Sequence, residues 1–268
     1  MTHNPGMTPD ELAAAGLLYA VDGPVATITL HRPEVRNAQT PRMWRALAAL
    51  GEEISDDVRV VLVRGSGHSF SAGLDRAMLD PQGSAGGEES VADLLAKPDA
   101  EISAAIDEFQ QGFTFLRDPR FVSVAVVQGY AIGAGFQLAL SCDLRVCADD
   151  AQFSMKESAL GLVPDLTGTK PLVESVGYAR ALEICVTARM VGAREAVDIG
   201  LATAAVPAAE LDATVDDLVG ALAAPMAGAV RATKALLQTA AAHDLDTQRR
   251  VEREAQIARF RELAQLLA

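Results

Sequence analysis

Two alternating apolar runs, LLYAVD and VATITL, flank Asp22-Gly23-Pro24 and predict a β-hairpin over residues 17 to 30. HRPEVRNAQ follows as a polar loop. Thr40 and Pro41 read as the cap and first-turn residue of a helix reaching about Glu53, with Met43, Leu47 and Leu50 at helical spacing. The runs VRVVLVRGS (58–66), FVSVAVVQG (121–129) and DLRVCAD (143–149) predict buried strands. HSFSAGLDRAML reads as a loop entering a helix, and residues 99–118 as a helix. DPQGSAGGEES (80–90), rich in Gly, Ser and acid, reads as a mobile loop. From about residue 170 the period turns helical in TKPLVESVG, YARALEICVTA, AREAVDIG and three further segments, with one short strand in LATAAVP. The first two thirds are therefore mixed α/β and the last third mainly helical, without a linker or strict repeat.

Composition narrows the function classes. The chain has 268 residues, half of them apolar, which suits one large domain or one and a half small ones. A net charge of −13 argues against nucleic acid and anionic membranes as partners, since both need a basic face. No apolar run approaches the roughly 18 residues of a membrane span. Cys142, Cys147 and Cys185 form no CxxC pair and lie in apolar segments, as expected of buried thiols in a reducing cytoplasm. The four histidines lack ligand spacing, so no metal site is expected. MTHNPGMTPD has neither a basic start nor an apolar core, and reads as a frayed end and not as a signal peptide.

Two strands end in similar chemistry, VRVVLVRGSGHSFSAGLDRA and SVAVVQGYAIGAGFQLA. In each, a β-run meets a small-residue turn and then helix-compatible sequence. A helix start carries unpaired N–H groups and the positive end of its dipole. Two such sources side by side would stabilise negative charge on a carbonyl oxygen. Tight strand–helix packing uses the same small residues and is the plain alternative for either turn taken singly. The GxGxxG dinucleotide spacing is absent, and no strand-end acid follows at the usual distance.

FSAGLD, GYAIGAGFQLALSCDLRVCADDAQFSMKESALGLVPDLTGT and the early VATITLHRPEVRNA together resemble the enoyl-CoA hydratase/isomerase (crotonase) superfamily, in that family's motif order from about residue 18 to 240. The resemblance implies an α/β fold of the crotonase-like (ClpP/crotonase) type. That fold is a spiral of β-β-α units over residues 17–200, after a flexible N-terminus at 1–16, with a C-terminal helical trimerisation region at 201–268. It implies a homotrimer or dimer of trimers, an acyl-CoA thioester as partner, and no cofactor beyond the coenzyme A of the substrate. The oxyanion donors it implies are the main-chain N–H groups of Leu74, after Gly73, and Ala134, after Gly133. Losing one such donor typically costs roughly 10²–10³ in rate. Arg36, Ala38, Ala72, Asp75 and Arg76 match segments that embrace the nucleotide and pantetheine, with the arginines as phosphate partners or plain surface charges.

Hydratases of the family carry two glutamates, which here fall at Gln137 and Glu157. An amide has no basic site near neutral pH, so Gln137 can orient water or a carbonyl but not cycle a proton. Hydration is therefore disfavoured. A double-bond shift needs only one base, and Glu157 could serve. Asp165 stands eight residues on, the separation seen between a Glu and an Asp in the family's dienoyl-CoA isomerases, which also carry a third acid where this chain has Gln137. The bland alternatives are a surface pairing of Glu157 with Lys156, a turn or cap role for Asp165, and a buried hydrogen-bonding role for Gln137. The expected function is enoyl- or dienoyl-CoA isomerisation. The rivals are a hydratase using Glu157 alone and a non-catalytic acyl-CoA-binding protein. LTGTK and the final helix, RRVEREAQIARFRELAQLLA, depart from the family pattern and put the acyl tunnel and C-terminal coenzyme A contacts in question.

Overall fold

A computed structural model describes residues 7–80 and 89–267. The first six residues and most of the expected mobile loop, 81–88, lie outside the described residues. Helix α1 (Pro9–Ala14) stands where the sequence suggests a flexible end. Thr8 and Glu11 cap each other reciprocally and Leu12 is buried, so a short helix is held by its cap and one apolar anchor.

The hairpin forms as expected, with β1 (Leu17–Asp22) antiparallel to β2 (Val25–Leu30). Helix α2 (Pro41–Glu53) starts where Thr40 Oγ1 accepts the Met43 N–H at 3.3 Å. Strand β3 (Val60–Gly65) follows, and beyond the undescribed segment come α3 (Val91–Leu95) and α4 (Asp99–Thr114). Helices α2 and α4 pack through Trp44, tilted against Phe109 and Phe113.

Strand β4 (Val122–Val127) leads into a three-residue strand, β5 (Tyr130–Ile132), and then α5 (Ala134–Ser141). Strands β6 (Leu144–Ala148) and β7 (Gln152–Ser154) come next. The helical part comprises α6 (Thr169–Val176), α7 (Tyr178–Thr187) and α8 (Ala193–Asp198), with the two-residue strand β8 (Val191–Gly192) between α7 and α8. Strand β9 (Ala204–Val206) precedes α9 (Leu211–Ala223), α10 (Ala227–Ala240) and α11 (Leu245–Leu266). No single helix among the described residues is long and apolar enough to cross a membrane.

Six strands make one sheet in the order β1-β2-β3-β4-β6-β9, parallel throughout except for the hairpin. Alternation along the strands divides its faces. Val60, Leu62, Val124 and Val126 turn toward Leu211 and Val215 of α9, while Val61, Val63, Ala125 and Val127 enter the main core. The boundary expected at residue 200 thus divides this sheet, because β9 closes its edge on β6 and α9 covers its face. Lys234 fastens α10 to the segments entering β4 and β6, donating to the Asp118 and Phe121 carbonyls and pairing with Asp143 at 2.7 Å.

A second sheet, β5-β7-β8, stands apart from the first and was not legible as strands in the sequence. It carries the chain from β4 to the start of α5 and sets the site. Cys142 and Cys147 are buried thiols, burial pushing their pKa values up to about 12 and about 11. Cys185, expected to be buried like them, is only half-buried.

Candidate active site

Three backbone segments, around Gln39, Ser71–Asp75 and β5, run side by side in parallel. Ser71 zips onto β5, its N–H donating to the Tyr130 carbonyl and its carbonyl accepting from Ile132 N–H. On the opposite edge Gln39 bridges Leu74 in parallel, with Gln39 N–H on the Gly73 carbonyl at 2.7 Å and Asp75 N–H on the Gln39 carbonyl at 2.8 Å. Those bonds use the neighbours of Leu74, so the Leu74 N–H faces away from Gln39. Gly73 has φ +88°, and a Cβ there would stand 2.4 Å from the Ile132 carbonyl oxygen and 3.4 Å from Ala134 N. Only glycine permits both the dihedral and the approach.

Gly133, at φ +51° and ψ −120°, turns β5 into α5, and its own N–H is spent on the Ser154 carbonyl. Ala134 therefore opens α5 with an uncommitted N–H. Among the described residues neither Leu74 N–H nor Ala134 N–H has an acceptor. The two expected donors lie on touching strands of backbone, but only one comes from a helix start. After Leu74 the chain makes a single 3₁₀ turn, Arg76–Leu79, instead of the expected helix. The Leu74 donor is freed by strand geometry.

Glu157 opens a 3₁₀ turn, Glu157–Leu160, and is buried. Its Oε1 would lie 3.3 Å from a Cβ built on Gly133, so the carboxyl rests against the turn into α5. Gln137 Nε2 donates to that Oε1 at 2.7 Å. The Gln137 oxygen accepts from Leu166 N–H at 2.9 Å and Gly168 N–H at 3.2 Å. Two main-chain donors can only face an oxygen, so the amide is locked with its nitrogen toward Glu157. Glu157 Oε2 is buried with no partner among the described residues. Burial raises the Glu157 pKa, its own main chain and the Gln137 amide pull it down, and the negative charge of Asp165 pushes it up again.

Lys156 donates instead to the Ala188 carbonyl at 2.6 Å, so the surface pairing considered for Glu157 is not formed. Asp165 is open to solvent, yet the surrounding protein is dense enough to raise its pKa. Gln110 Nε2 holds its carbonyl at 2.6 Å. From Gln110 an open groove of about 380 Å³ runs along α4, lined by Asp99, Ile102, Ser103, Ile106 and Asp107.

The expected coenzyme A residues share a rim beside Leu74. Arg36 is exposed at φ +53°, its guanidinium 5.7 Å from the Tyr130 ring centre, and its carbonyl accepts from Ala72 N–H at 2.8 Å. Arg76 is exposed, whereas Ala38 is buried. Arg32, which the sequence did not single out, pairs with Asp75 at 2.9 Å and donates to the Ala38 carbonyl at 2.7 Å. Asn37 was missed as well. Its amide nitrogen straps the Ser66 and Ser69 carbonyls, and its oxygen accepts from Arg32 N–H. Gln39 and Ser71, fully buried between these segments, complete the missed set. The one sequence signal was an amide on each side of Ala38 just before a helix cap.

Residues 21–264 match the profile of the family described as enoyl-CoA hydratase/isomerase. The chain is 31% identical over 197 residues to "Probable enoyl-CoA hydratase echA8" of Mycobacterium bovis, covering 73% of this chain and 70% of that protein. It is also 31% identical over 221 residues to the peroxisomal Delta(3,5)-Delta(2,4)-dienoyl-CoA isomerase of Arabidopsis thaliana, covering 81% and 78%. Among solved structures, a Thermobifida fusca YX protein assigned as an enoyl-CoA hydratase, in complex with acetoacetyl-CoA, superimposes with a TM-score of 0.92 at 54% identity, covering 95% of this chain and 98% of that one.

Proposed function

Because the chain belongs to the enoyl-CoA hydratase/isomerase family of acyl-CoA enzymes, we propose that it shifts a double bond in an enoyl- or dienoyl-CoA thioester. The complexes of the similar Thermobifida fusca protein with acetoacetyl-CoA and with CoA support a thioester as the ligand class. The thioester oxygen sits between Leu74 N–H and Ala134 N–H. These dipoles stabilise the enolate formed when the carbon beside the thioester loses a proton. Glu157 takes that proton on Oε2 and returns it further along the conjugated system, with Asp165 as a second carrier near the acyl chain. Main-chain dipoles and one carboxylate suffice for this chemistry, so the reading needs no metal or redox cofactor.

One observation carries the choice of reaction. Gln137 stands in the place of a second carboxylate, and its amide is locked as a donor to Glu157 Oε1. That leaves one oxygen of Glu157 for proton traffic. Addition of water needs one group to take water's proton and another proton delivered to carbon.

Hydration with Glu157 as the sole acid–base group is the second reading, and the relatives named hydratases favour it. Incubation with 3-enoyl- and 2-enoyl-CoA thioesters, with products resolved by chromatography, separates the two. Isomerisation faster than 3-hydroxyacyl-CoA formation supports the proposal; the reverse order replaces it with hydration. Tight acyl-CoA binding without turnover would leave a binding protein.

The assembly proposed is a homotrimer or a dimer of trimers working in the cytoplasm. Exposed Leu182 and Val186 on α7 and Leu237, Leu245, Ile257 and Phe260 on α10 and α11 supply apolar surface for it. Sedimentation at micromolar concentration tests the state.

A further inference from the structure

Gln39 and Ser71 are fully buried polar residues that touch none of the groups assigned to proton transfer. Each nevertheless holds one side of the carbonyl site through its main chain. Gln39 grips Gly73 and Asp75, the residues on either side of Leu74. Ser71 grips Tyr130 and Ile132 of β5, the strand that delivers Gly133 and Ala134. The first turn of α5 also rests on Ser71, since a Cβ on Gly135 would fall 2.6 Å from the Ser71 carbonyl oxygen and 2.9 Å from its Oγ.

The two residues are then joined by side chains. Gln39 Nε2 donates to Ser71 Oγ at 3.1 Å. Ser71 Oγ donates in turn to the Asn37 carbonyl at 2.7 Å and accepts from Gly73 N–H at 3.2 Å. Gln39 Oε1 takes the Trp44 indole N–H at 2.8 Å, which anchors the pair to α2. Every bond of the hydroxyl is therefore made to the Leu74 side, while the Ser71 main chain belongs to the Ala134 side.

We propose that the Gln39–Ser71 pair sets the separation and aim of the Leu74 and Ala134 N–H groups, making both positioning residues for polarisation of the thioester carbonyl. An apolar pair of similar volume would fill the same space, but only directional bonds fix how far apart two main-chain donors stand. The inference rests on the reading of Leu74 and Ala134 as carbonyl donors, and not on whether isomerisation or hydration follows.

A conjugated aromatic thioester, cinnamoyl-CoA, reports the polarisation directly as a red shift of its absorbance on binding. Wild type should show the shift. Ser71→Ala and Gln39→Met should each lose most of it, with kcat falling roughly 10–100-fold and KM staying within about two-fold, because neither side chain is among those expected to hold coenzyme A. The double variant should lose little beyond the worse single, since the two residues act as one unit. Should Ser71→Ala fail to fold by circular dichroism, Gln39→Met decides alone. Folded variants that keep the wild-type red shift overturn the positioning role and leave the carbonyl site standing. A wild type without any shift overturns the carbonyl site and this inference with it.

Discussion

The two halves of the proposed site are made of different material. The carbonyl half is main chain: the N–H groups of Leu74 and Ala134 brought together by Gly73 and Gly133, with the side chains at 74 and 134 incidental. The proton half is side chain: Gln137, Glu157 and Asp165, where one atom changes the chemistry. The first half should be sensitive to geometry and tolerant of residue type. The second should be the opposite.

The largest effect should come from the proton half. Glu157→Gln should lower turnover by roughly 10²–10⁴ while acyl-CoA affinity, measured by calorimetry, stays close to wild type. Unchanged turnover would place the base elsewhere. In the carbonyl half, Gly73→Ala should cost roughly 10²–10³ in kcat, because a Cβ would meet the Ile132 carbonyl at 2.4 Å and force the two segments apart. Leu74→Ala keeps its N–H and should change substrate preference more than rate. Equal losses in the two variants, assayed across a series of acyl lengths, would erase the distinction between the halves.

Gln137→Glu sharpens the comparison further. The new carboxylate keeps the main-chain bonds to Leu166 and Gly168 but faces Glu157 with like charge in place of an amide donor. The pKa of Glu157 should rise further, and hydration should gain on isomerisation as a second carboxyl becomes available. A pH–rate profile with paired product analysis checks both.

In the wild type the acid limb of kcat/KM should lie above the ordinary glutamate value of 4.5, since the base must be ionised and its pKa is raised by burial. Linkage gives the matching sign for stability. The folded state holds this proton more tightly than the unfolded chain, so the contribution of Glu157 to stability is full below 4.5 and declines as pH rises through the raised value. Glu157→Gln should therefore raise the melting temperature at neutral pH and leave it little changed below pH 4.5. The smallest effect is expected at the rim. Arg36→Ala should raise KM for the thioester about three- to ten-fold, and less at high salt, with kcat retained.

What could be read from the sequence follows the same division. The helix Pro41–Glu53 was legible because Thr40 and Pro41 act locally, as cap and first-turn residue. The buried strands Val60–Gly65 and Val122–Val127 were legible from their β-branched runs. The small sheet was not, because strands of two or three residues carry no period and exist only through pairing with distant segments. Glu157 and Gln137 could be weighed from residue chemistry once the family resemblance fixed their positions. Arg32, Asn37, Gln39 and Ser71 looked like ordinary loop polars, since their roles depend on partners distant in the chain, as from the Ser71 hydroxyl to the Asn37 carbonyl 34 positions away.

Strand β9 has a practical consequence for anyone shortening this chain. It supplies three residues in register with Val146, Cys147 and Ala148, and occupies the outer side of β6. A protein cut at residue 200 would bare a row of open peptide groups flanked by apolar side chains, a template for adding strands from other molecules. Such a fragment is expected to clump on expression even if its catalytic cleft is intact.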